Sequence, residues 1–438
     1  MPLAMNGVIE GFYGAPWTWE ERAEVCRGVA AAGGDTYVYA PKDDPLHRDR
    51  WRDPYPDDEL AAFERLRSDG GVRVGFAVSP GLSIDGDSDA DRARLLAKVG
   101  QLLDVGIDLV VLALDDLPPR DGLGGEHGRL TAWMRDNLPA DVDLAMVPNH
   151  YTGCVDVPYL AELRAELPDA VPVGWTGRYV VNDRITLDDA EAWIGFMGRE
   201  PLLWDNYPVN DVIMADRLFL GPLRGRDPDV AQRLSGYLGN GMLQATATVA
   251  PVRSAVAWAR GGDPLAEWSD AIGDAAELAA CCDEVLLDSL IDELASGAPG
   301  ALDAIQDLLE RASSCGNGGL GAAVDPWVER IRAEAGVAMG AVRLLRSIER
   351  GGAQEAAAAS LEALALAYFW PQVRIGAPSV FGPRRSFRPI LAQAQNGEWL
   401  CRPESFDIDR NAVDRFIKSA IGALGSPDDP ASRPTVEG

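Results

Sequence analysis

Two adjacent carboxylates, Asp115 and Asp116, are the residues of this chain best suited to acid–base chemistry. They directly follow Leu109–Leu114, an apolar run typical of a β-strand buried on both faces. Neighbouring residues at a strand end point to opposite sides, so the two carboxyl groups can address different atoms of a substrate. Because like charges repel, one of them is expected to keep a proton near neutral pH, as a general acid requires. Paired carboxyl groups of this kind are the usual apparatus of glycoside cleavage.

A lysine and a glycine at two other strand ends are further candidates. The chain has 40 Lys and Arg residues, of which only Lys42, Lys98 and Lys418 are lysines. Lys42 follows a predicted strand, so a ligand-binding role is favoured over a surface salt bridge. Gly11 also follows a strand, where it serves either a turn or the close approach of a ligand to the backbone.

The spacing of apolar runs predicts the elements that position these residues. Eight short, β-branched runs recur about every 33 residues, the length of a strand plus a crossover helix; they begin near Gly7, Asp35, Val72, Asp108, Asp143, Val171, Leu202 and Ser235. Amphipathic helical stretches separate them. This pattern predicts an α/β fold, a (β/α)8 TIM barrel over residues 1–263, with its site at the C-terminal ends of the strands.

The residues at those strand ends suggest the kind of ligand. They include carboxylates, amides, one lysine and several aromatic rings, as in Trp204–Asp211 and Gly239–Gly241. Carboxylates and amides bind hydroxyl groups, and aromatic rings cover the apolar face of a sugar. The rim therefore favours a neutral polyhydroxylated ligand.

Beyond residue 263 the pattern changes to long Ala-, Leu- and Glu-rich stretches with helical periodicity. Residues 264–425 are predicted to form an α-helical bundle domain, interrupted by a loop near Gly376–Pro389. Residues 426–438 are predicted to be a disordered tail.

Charge and composition exclude several classes of function. The formal net charge is −28, which disfavours binding to nucleic acids, anionic membranes and polyanionic substrates. The sequence has no signal-peptide pattern and no apolar segment long enough to span a membrane. Six cysteines without C-x-x-C spacing predict a reduced, cytoplasmic protein, and three histidines without ligand spacing predict no metal site. No cofactor is expected.

Several of these strand ends carry a specific resemblance. Gly7–Trp17, Tyr39–Pro45, the Asp115–Asp116 pair, Trp175–Gly177, Trp204–Asp211 and Asn240 resemble glycoside hydrolase family 84. This family contains retaining β-N-acetylglucosaminidases of the O-GlcNAcase type, which remove O-linked GlcNAc from Ser and Thr. The resemblance extends over the whole predicted barrel, in order along the chain.

The resemblance implies substrate-assisted catalysis through an oxazoline intermediate, an exception to the usual two-carboxylate displacement. Asp115 would orient the substrate's acetamido group, and Asp116 would be the general acid and base. The other residues implied to contact the substrate are Gly11, Lys42, Tyr151, Thr176, Trp204, Asn206, Asp211 and Asn240. Tyr151 lies where the match is loosest, in Val147–Tyr151.

Two other functions remain open at this point. One is a hyaluronidase-like or chitin-directed N-acetylhexosaminidase, which the acidic charge disfavours for hyaluronan. The other is a non-catalytic GlcNAc-binding protein, against which the intact acid pair argues. The expected partner is a GlcNAc-bearing glycoprotein or small glycoside, and the helical domain could form a homodimer.

Overall fold

The computed structural model describes residues 5–282, 284–374, 378–382, 387–393, 399–405 and 411–424. The chain divides into two compact units. The first comprises Met1–Ala215, Pro222–Ala271 and Pro389–Pro403, and the second comprises Asp216–Gly221, Ile272–Arg388 and Glu404–Gly438.

The first unit contains eight parallel strands: β1 (Asn6–Glu10), β2 (Thr36–Tyr39), β3 (Arg73–Val78), β4 (Leu109–Ala113), β5 (Asp143–Val147), β6 (Gly174–Trp175), β7 (Leu202–Asp205) and β8 (Gly236–Asn240). Their order in the sheet is β5-β4-β3-β2-β1-β8-β7-β6. A parallel bridge between Met146 and Val173 joins β5 to the residue before β6 and closes the ring. The predicted (β/α)8 barrel is confirmed.

Helices alternate with these strands: α1 (Trp19–Ala31), α2 (Asp57–Asp69), α3 (Asp89–Asp104), α4 (Leu123–Asn137), α5 (Pro158–Glu166), α6 (Leu187–Met197) and α7 (Ala245–Ala259), followed by α8 (Pro264–Ile272). Helix α1 begins after Thr18, whose side chain accepts from the Glu21 N–H while the Glu21 side chain accepts from the Thr18 N–H. This reciprocal cap satisfies two helix-end donors and fixes the end of the β1–α1 loop.

The strands are apolar on both faces because each face is covered. Ile9, Val38 and Val111 belong to a cluster inside the barrel, whereas their neighbours Val8, Tyr37 and Val110 belong to the larger core beneath the helices. Successive side chains of a strand alternate between these two layers. The polar residues that follow the strands are thereby left at the C-terminal rim.

The second unit is mainly helical, as predicted. Its helices are α9 (Ala276–Cys282), α10 (Glu284–Ala295), α11 (Ala301–Ser314), α12 (Asp325–Arg350), α13 (Ala353–Val373) and α14 (Ala412–Gly422). Helices α12 and α13 are joined by Gly351 and Gly352, which have φ values of 66° and 97°. Such backbone angles favour glycine.

Two strands that the sequence analysis did not predict, β9 (Phe387–Gln393) and β10 (Trp399–Ser405), pair with each other. Strand β9 begins inside the stretch predicted to be a loop near Gly376–Pro389. Residues 375–377 and 383–386 of that region, and the predicted tail 426–438, lie outside the described residues.

None of the helices in the described ranges combines the length and hydrophobicity of a membrane span. Within the same ranges, His, Cys, Asp and Glu side chains form no group of three that could hold a metal ion.

Candidate active site

Asp115 is a buried carboxylate of the rim. It follows β4 and is 5% exposed. Its Oδ2 accepts a hydrogen bond from the Nζ of Lys42, which follows β2 and is also buried. Its Oδ1 is buried and has no hydrogen-bond partner among the described residues. Because a buried acceptor without a partner is costly, this oxygen is suited to receive an N–H group from a ligand.

Asp116 has different surroundings. It is partly exposed, and its backbone has φ 59°, a left-handed conformation that costs most residues about 1 kcal/mol and that Asp tolerates better than bulkier residues. Its Oδ2 accepts from the Tyr13 hydroxyl at 2.7 Å, and its Oδ1 accepts from the Tyr151 hydroxyl at 2.9 Å. The turned backbone and two phenol donors fix the direction of this carboxyl group.

A chain of side chains connects the ends of β1, β7 and β8. The Asn240 side chain accepts from the Gly11 N–H at 3.0 Å and donates to Asn206 Oδ1 at 3.0 Å. Trp204 Nε1 donates to the same Asn206 oxygen at 3.0 Å, and Asn206 Nδ2 donates to the Val180 carbonyl at 2.8 Å. The two amides are therefore held in fixed orientations at the rim.

Gly11 contacts the indole ring of Trp204 so closely that no side chain fits. A Cβ at this position would lie 2.3 Å from Cζ2 of Trp204. The Trp204 ring is also near Lys42, whose Nζ lies 5.8 Å from the ring centroid. The contact is compatible with a turn glycine and with a glycine that lets a ligand approach the backbone. In either case, the absence of a side chain lets the Gly11 backbone pack directly against the Trp204 ring.

Asp211 follows β7 and is partly buried. Its Oδ2 accepts from the Tyr13 N–H at 2.8 Å. Burial raises the pKa of Asp211, an effect opposed by the Tyr13 N–H and by the charge of Lys42. Asp211 therefore interacts electrostatically with Lys42, which lies at the same rim.

Tyr151 and Thr176 lie where β5 and β6 meet. The Thr176 N–H donates to the Tyr151 carbonyl at 2.9 Å, and the Thr176 hydroxyl donates to the Tyr179 carbonyl at 2.9 Å. Burial, followed by the charges of Asp116 and Asp115, raises the pKa of Tyr151 well above its ordinary value. The Tyr151 hydroxyl therefore keeps its proton and donates a hydrogen bond to Asp116.

All ten residues predicted for the site lie at the C-terminal ends of the strands, and these contacts connect them. The structure adds two residues that the sequence analysis did not select. Tyr13 bonds Asp116 and Asp211, and Arg48 Nη1 donates to the Tyr13 hydroxyl at 3.0 Å. The strand-end position of Tyr13, in the stretch that carries the resemblance, was the signal that could have identified it.

The β1–α1 loop that carries Gly11 and Tyr13 is anchored from behind. Glu10 accepts from the Trp17 N–H at 2.9 Å and from Arg22 at 2.8 and 3.0 Å. The Tyr37 hydroxyl also donates to Glu10. Burial raises the pKa of Glu10, and Arg22 opposes this effect. Glu10 is completely buried, so it supports the loop and lies outside the reacting groups.

Two neighbouring carboxyl groups with distinct surroundings, at the C-terminal rim of a (β/α)8 barrel, define a protein of the glycoside hydrolase class. A family model described as beta-N-acetylglucosaminidase matches residues 6–286, more than half of the chain. The chain belongs to this beta-N-acetylglucosaminidase family. The resemblance to glycoside hydrolase family 84 is thereby confirmed.

Individual relatives agree with this assignment. The protein O-GlcNAcases of Rattus norvegicus and Mus musculus are each 30% identical over 270 residues, which is 58% of this chain and 29% of the relative. The match thus spans less than a third of each curated relative. A mutant O-GlcNAc hydrolase of Thermobaculum terrenum has a similar fold, with a TM-score of 0.77 at 22% identity, over 96% of this chain and 95% of the other.

Proposed function

We propose that this protein is a retaining exo-β-N-acetylglucosaminidase of O-GlcNAcase type, which removes terminal β-linked GlcNAc by substrate-assisted catalysis. The observation that carries the proposal is the contrast between the two acids. Asp115 is buried, paired with Lys42 through one oxygen and without a partner on the other among the described residues. Asp116 is more exposed and is held by two phenols.

In the first step, the acetamido N–H of the substrate donates to Oδ1 of Asp115. This bond directs the acetamido carbonyl oxygen to the anomeric carbon and stabilises the positive charge that develops on the group. The oxygen forms its bond to the anomeric carbon while the glycosidic C–O bond breaks. Asp116 gives its proton to the leaving oxygen. The product of this step is a protonated oxazoline whose N–H proton stays in the hydrogen bond to Asp115, and no enzyme nucleophile is needed.

In the second step, Asp116 is a carboxylate and accepts a proton from water. The water oxygen attacks the anomeric carbon, the bond to the acetamido oxygen breaks, and Asp116 is protonated again. Two displacements at one carbon leave the configuration unchanged. The partial exposure of Asp116 fits this role, because both the leaving group and the water must reach it.

The sugar hydroxyls are assigned to Lys42, Asp211, Asn240 and the backbone of Gly11. Oδ2 of Asp211 accepts from the Tyr13 N–H, and a carboxylate has enough acceptor positions to accept a sugar hydroxyl as well. The walls of the acetamido pocket are assigned to Tyr151, Thr176, Trp204 and Asn206. These assignments rest on the resemblance, together with the contacts that join the residues at one rim.

The mechanism is tested with aryl β-GlcNAc substrates whose N-acyl group carries zero to three fluorine atoms. Because fluorine weakens the acetamido oxygen as a nucleophile, kcat/KM is expected to fall steadily along this series. A rate that does not depend on fluorination would contradict substrate assistance. Asp115→Asn is expected to lose activity on every member of the series. Nuclear magnetic resonance of the first-formed product measures whether the anomeric configuration is retained.

The natural substrate is proposed to be a GlcNAc-modified protein. The test compares aryl β-GlcNAc, aryl β-GalNAc, a peptide carrying GlcNAc on serine, and hyaluronan. Release of GlcNAc from the peptide and none from hyaluronan supports the proposal. Cleavage of hyaluronan at a rate similar to aryl β-GlcNAc would favour a hyaluronidase-like enzyme.

A homodimer through the helical domain is also proposed. Its support is the row of exposed apolar side chains on α13: Leu361, Leu364, Tyr368 and Phe369 are 52–68% exposed. Contiguous apolar surface of this kind is typical of an interaction site. Light scattering of the wild type and of Leu364→Glu measures the oligomeric state.

The predicted cytoplasmic location is tested by cell fractionation.

A further inference from the structure

Tyr13 places a partly exposed ring beside Asp116. Its backbone N–H donates to Asp211 Oδ2 at 2.8 Å, and its hydroxyl donates to Asp116 Oδ2 at 2.7 Å. Tyr13 thus extends from the predicted sugar-binding carboxylate to the predicted general acid, and it remains 37% exposed. Because a general acid must reach the leaving oxygen, the groups next to Asp116 lie close to the aglycone.

Arg48, in the loop between β2 and α2, contacts this tyrosine. Its Nη1 donates to the Tyr13 hydroxyl oxygen at 3.0 Å, and its guanidinium carbon lies 5.8 Å from the centroid of the Tyr13 ring. A guanidinium group has five N–H donors. Within the part of the chain that the structure describes, the Arg48 side chain donates only to Tyr13, so its other donors are free to bind a ligand.

Arg48 differs from the two arginines that follow it in the same loop. Arg50 is ion-paired with Asp53 at 2.7 Å, and Arg52 is ion-paired with Asp91 at 2.6 Å. No carboxylate of the described residues forms such a pair with Arg48. The loop therefore carries one unpaired cation, and it is the arginine that contacts Tyr13 beside the predicted acid.

The nearby acids leave this positive charge in place. Burial lowers the pKa of Arg48, whereas its contacts with Tyr13 raise it. The charges of Asp115 and Asp116 raise it further, and the net shift is upward. Asp115 is already bonded to Lys42, and Asp116 must carry a proton to act as the acid. A substrate with a negative charge on its aglycone would therefore find an uncompensated guanidinium group beside the leaving oxygen.

We propose that Arg48 is a specificity-determining residue that binds an anionic group of the aglycone, a carboxylate or a phosphate on a residue adjacent to the glycosylated serine. The inference rests on the proposed function, because it concerns the leaving group that Asp116 protonates. The planar donors of arginine match both anions. The net charge of −28 does not prevent this contact, because salt screens exposed charges beyond about 8–10 Å.

The test uses three peptides that carry GlcNAc on a central serine, flanked on both sides by glutamine, by glutamate or by phosphoserine. The wild type is expected to show a kcat/KM about threefold higher for the glutamate peptide than for the glutamine peptide, as for an exposed ion pair. The larger charge of phosphoserine is expected to give at least the same preference. The glutamate and phosphoserine arms distinguish the two anions.

Variants of two arginines assign the preference to one side chain. Arg48→Gln is expected to bring the ratio of charged to neutral peptide down to about one, and Arg48→Lys, which retains a cation, to keep part of the preference. Arg50→Gln is the matched control, because Arg50 is already paired with Asp53, and it should leave the ratio unchanged. Since each ratio is taken within one enzyme, a general loss of activity cancels.

The same ratio is measured with two aryl β-GlcNAc substrates whose phenol carries a carboxylate or a carboxamide, and it is compared between the wild type and Arg48→Gln. A wild type that shows no preference for any charged substrate would overturn the proposal, as would a preference that survives in Arg48→Gln or is lost equally in Arg50→Gln. Failure of the proposed function is a different result, since the wild type would then hydrolyse neither the peptides nor the aryl substrates.

Discussion

Lys42 and Asp115 form an ion pair in which both side chains are almost completely buried, with 4% and 6% of their side-chain surfaces exposed. The desolvation of two charges offsets much of their attraction, so a buried pair of this kind contributes little net stability. Removing one partner is different, because it leaves the other charge buried and uncompensated. The pair therefore makes the position of Asp115 depend on Lys42.

Lys42→Met is expected to destabilise the fold by about 3–5 kcal/mol, since the buried Asp115 carboxylate would lose the ammonium group to which it is bonded. Urea denaturation measures the free energy of unfolding. The double variant Lys42→Met, Asp115→Asn serves as the matched control, because it removes both charges and should recover much of this loss. A single variant as stable as the wild type would show that Asp115 does not depend on Lys42.

Gly11→Ala is expected to abolish most of the activity, because the new Cβ would lie 2.3 Å from the Trp204 ring and must displace it. The displaced indole would lose its bond to Asn206 and disturb the wall of the pocket. Hydrolysis of aryl β-GlcNAc measures the effect, with an expected loss of at least about 100-fold in kcat/KM.

Gly100→Ala is the matched control for this substitution. Gly100 lies within α3, and a Cβ there would have no neighbour within 4 Å. Alanine is the better helix former by about 1 kcal/mol, so this variant should keep full activity and be slightly more stable. If Gly11→Ala behaved like Gly100→Ala, the close contact with Trp204 would have no functional role.

The sequence allowed much of the site to be predicted because barrel topology brings all C-terminal strand ends to one rim. Asp115 follows an apolar run in β4, and Asn240 ends β8. The regular spacing of the apolar runs and the strand-end positions of these two residues were therefore enough to predict that they lie close together. The bond from Tyr13 to Asp116 could not be predicted in this way. It depends on the path of the β1–α1 loop and on the left-handed backbone of Asp116, and hydrophobic periodicity carries no information about either.

After residue 263, too, some elements could be predicted from the sequence and others could not. The long helices α12 and α13 follow from Ala- and Leu-rich periodicity, which is strongest over many turns. Strands β9 and β10 were missed because each contains a proline, and proline is normally unfavourable inside a strand.

Three buried histidines predict a loss of stability in mild acid. His47, His127 and His150 are 0–5% exposed, and burial lowers their pKa values from 6.5 to about 4, 3 and 4. Below pH 6.5 the unfolded chain binds protons that the folded chain does not. The free energy of unfolding is therefore expected to decrease as the pH falls from about 6.5 to 4, by up to about 1.4 kcal/mol per pH unit for each histidine.

His150→Phe isolates one of these contributions. The ring volume is retained, and Nδ1 of His150 has no hydrogen-bond partner among the described residues that the substitution would remove. The difference in unfolding free energy between variant and wild type should shift in favour of the variant as the pH falls through this window. A difference that is constant from pH 7 to 4 would contradict the assignment.

Lys98 predicts a pH dependence in the alkaline range. It is 2% exposed, its Nζ has no hydrogen-bond partner among the described residues, and the ammonium lies 4.1 Å from the centroid of the Tyr55 ring. Burial lowers the pKa of Lys98 from 10.5 to about 8, although Asp44 and Asp53 oppose this effect. Between pH 8 and 10.5 the unfolded chain retains a proton that the folded chain has released, so stability increases with pH in this window.

Lys98→Met is therefore expected to be more stable than the wild type below pH 8, where the wild type must bury a charge. The advantage should shrink as the pH rises toward 10.5, by up to about 1.4 kcal/mol per pH unit. Urea denaturation at intervals of half a pH unit measures the free energy of unfolding of the variant and of the wild type. An advantage of Lys98→Met that stays the same at pH 7 and pH 10 would mean that Lys98 titrates alike in the folded and unfolded chains.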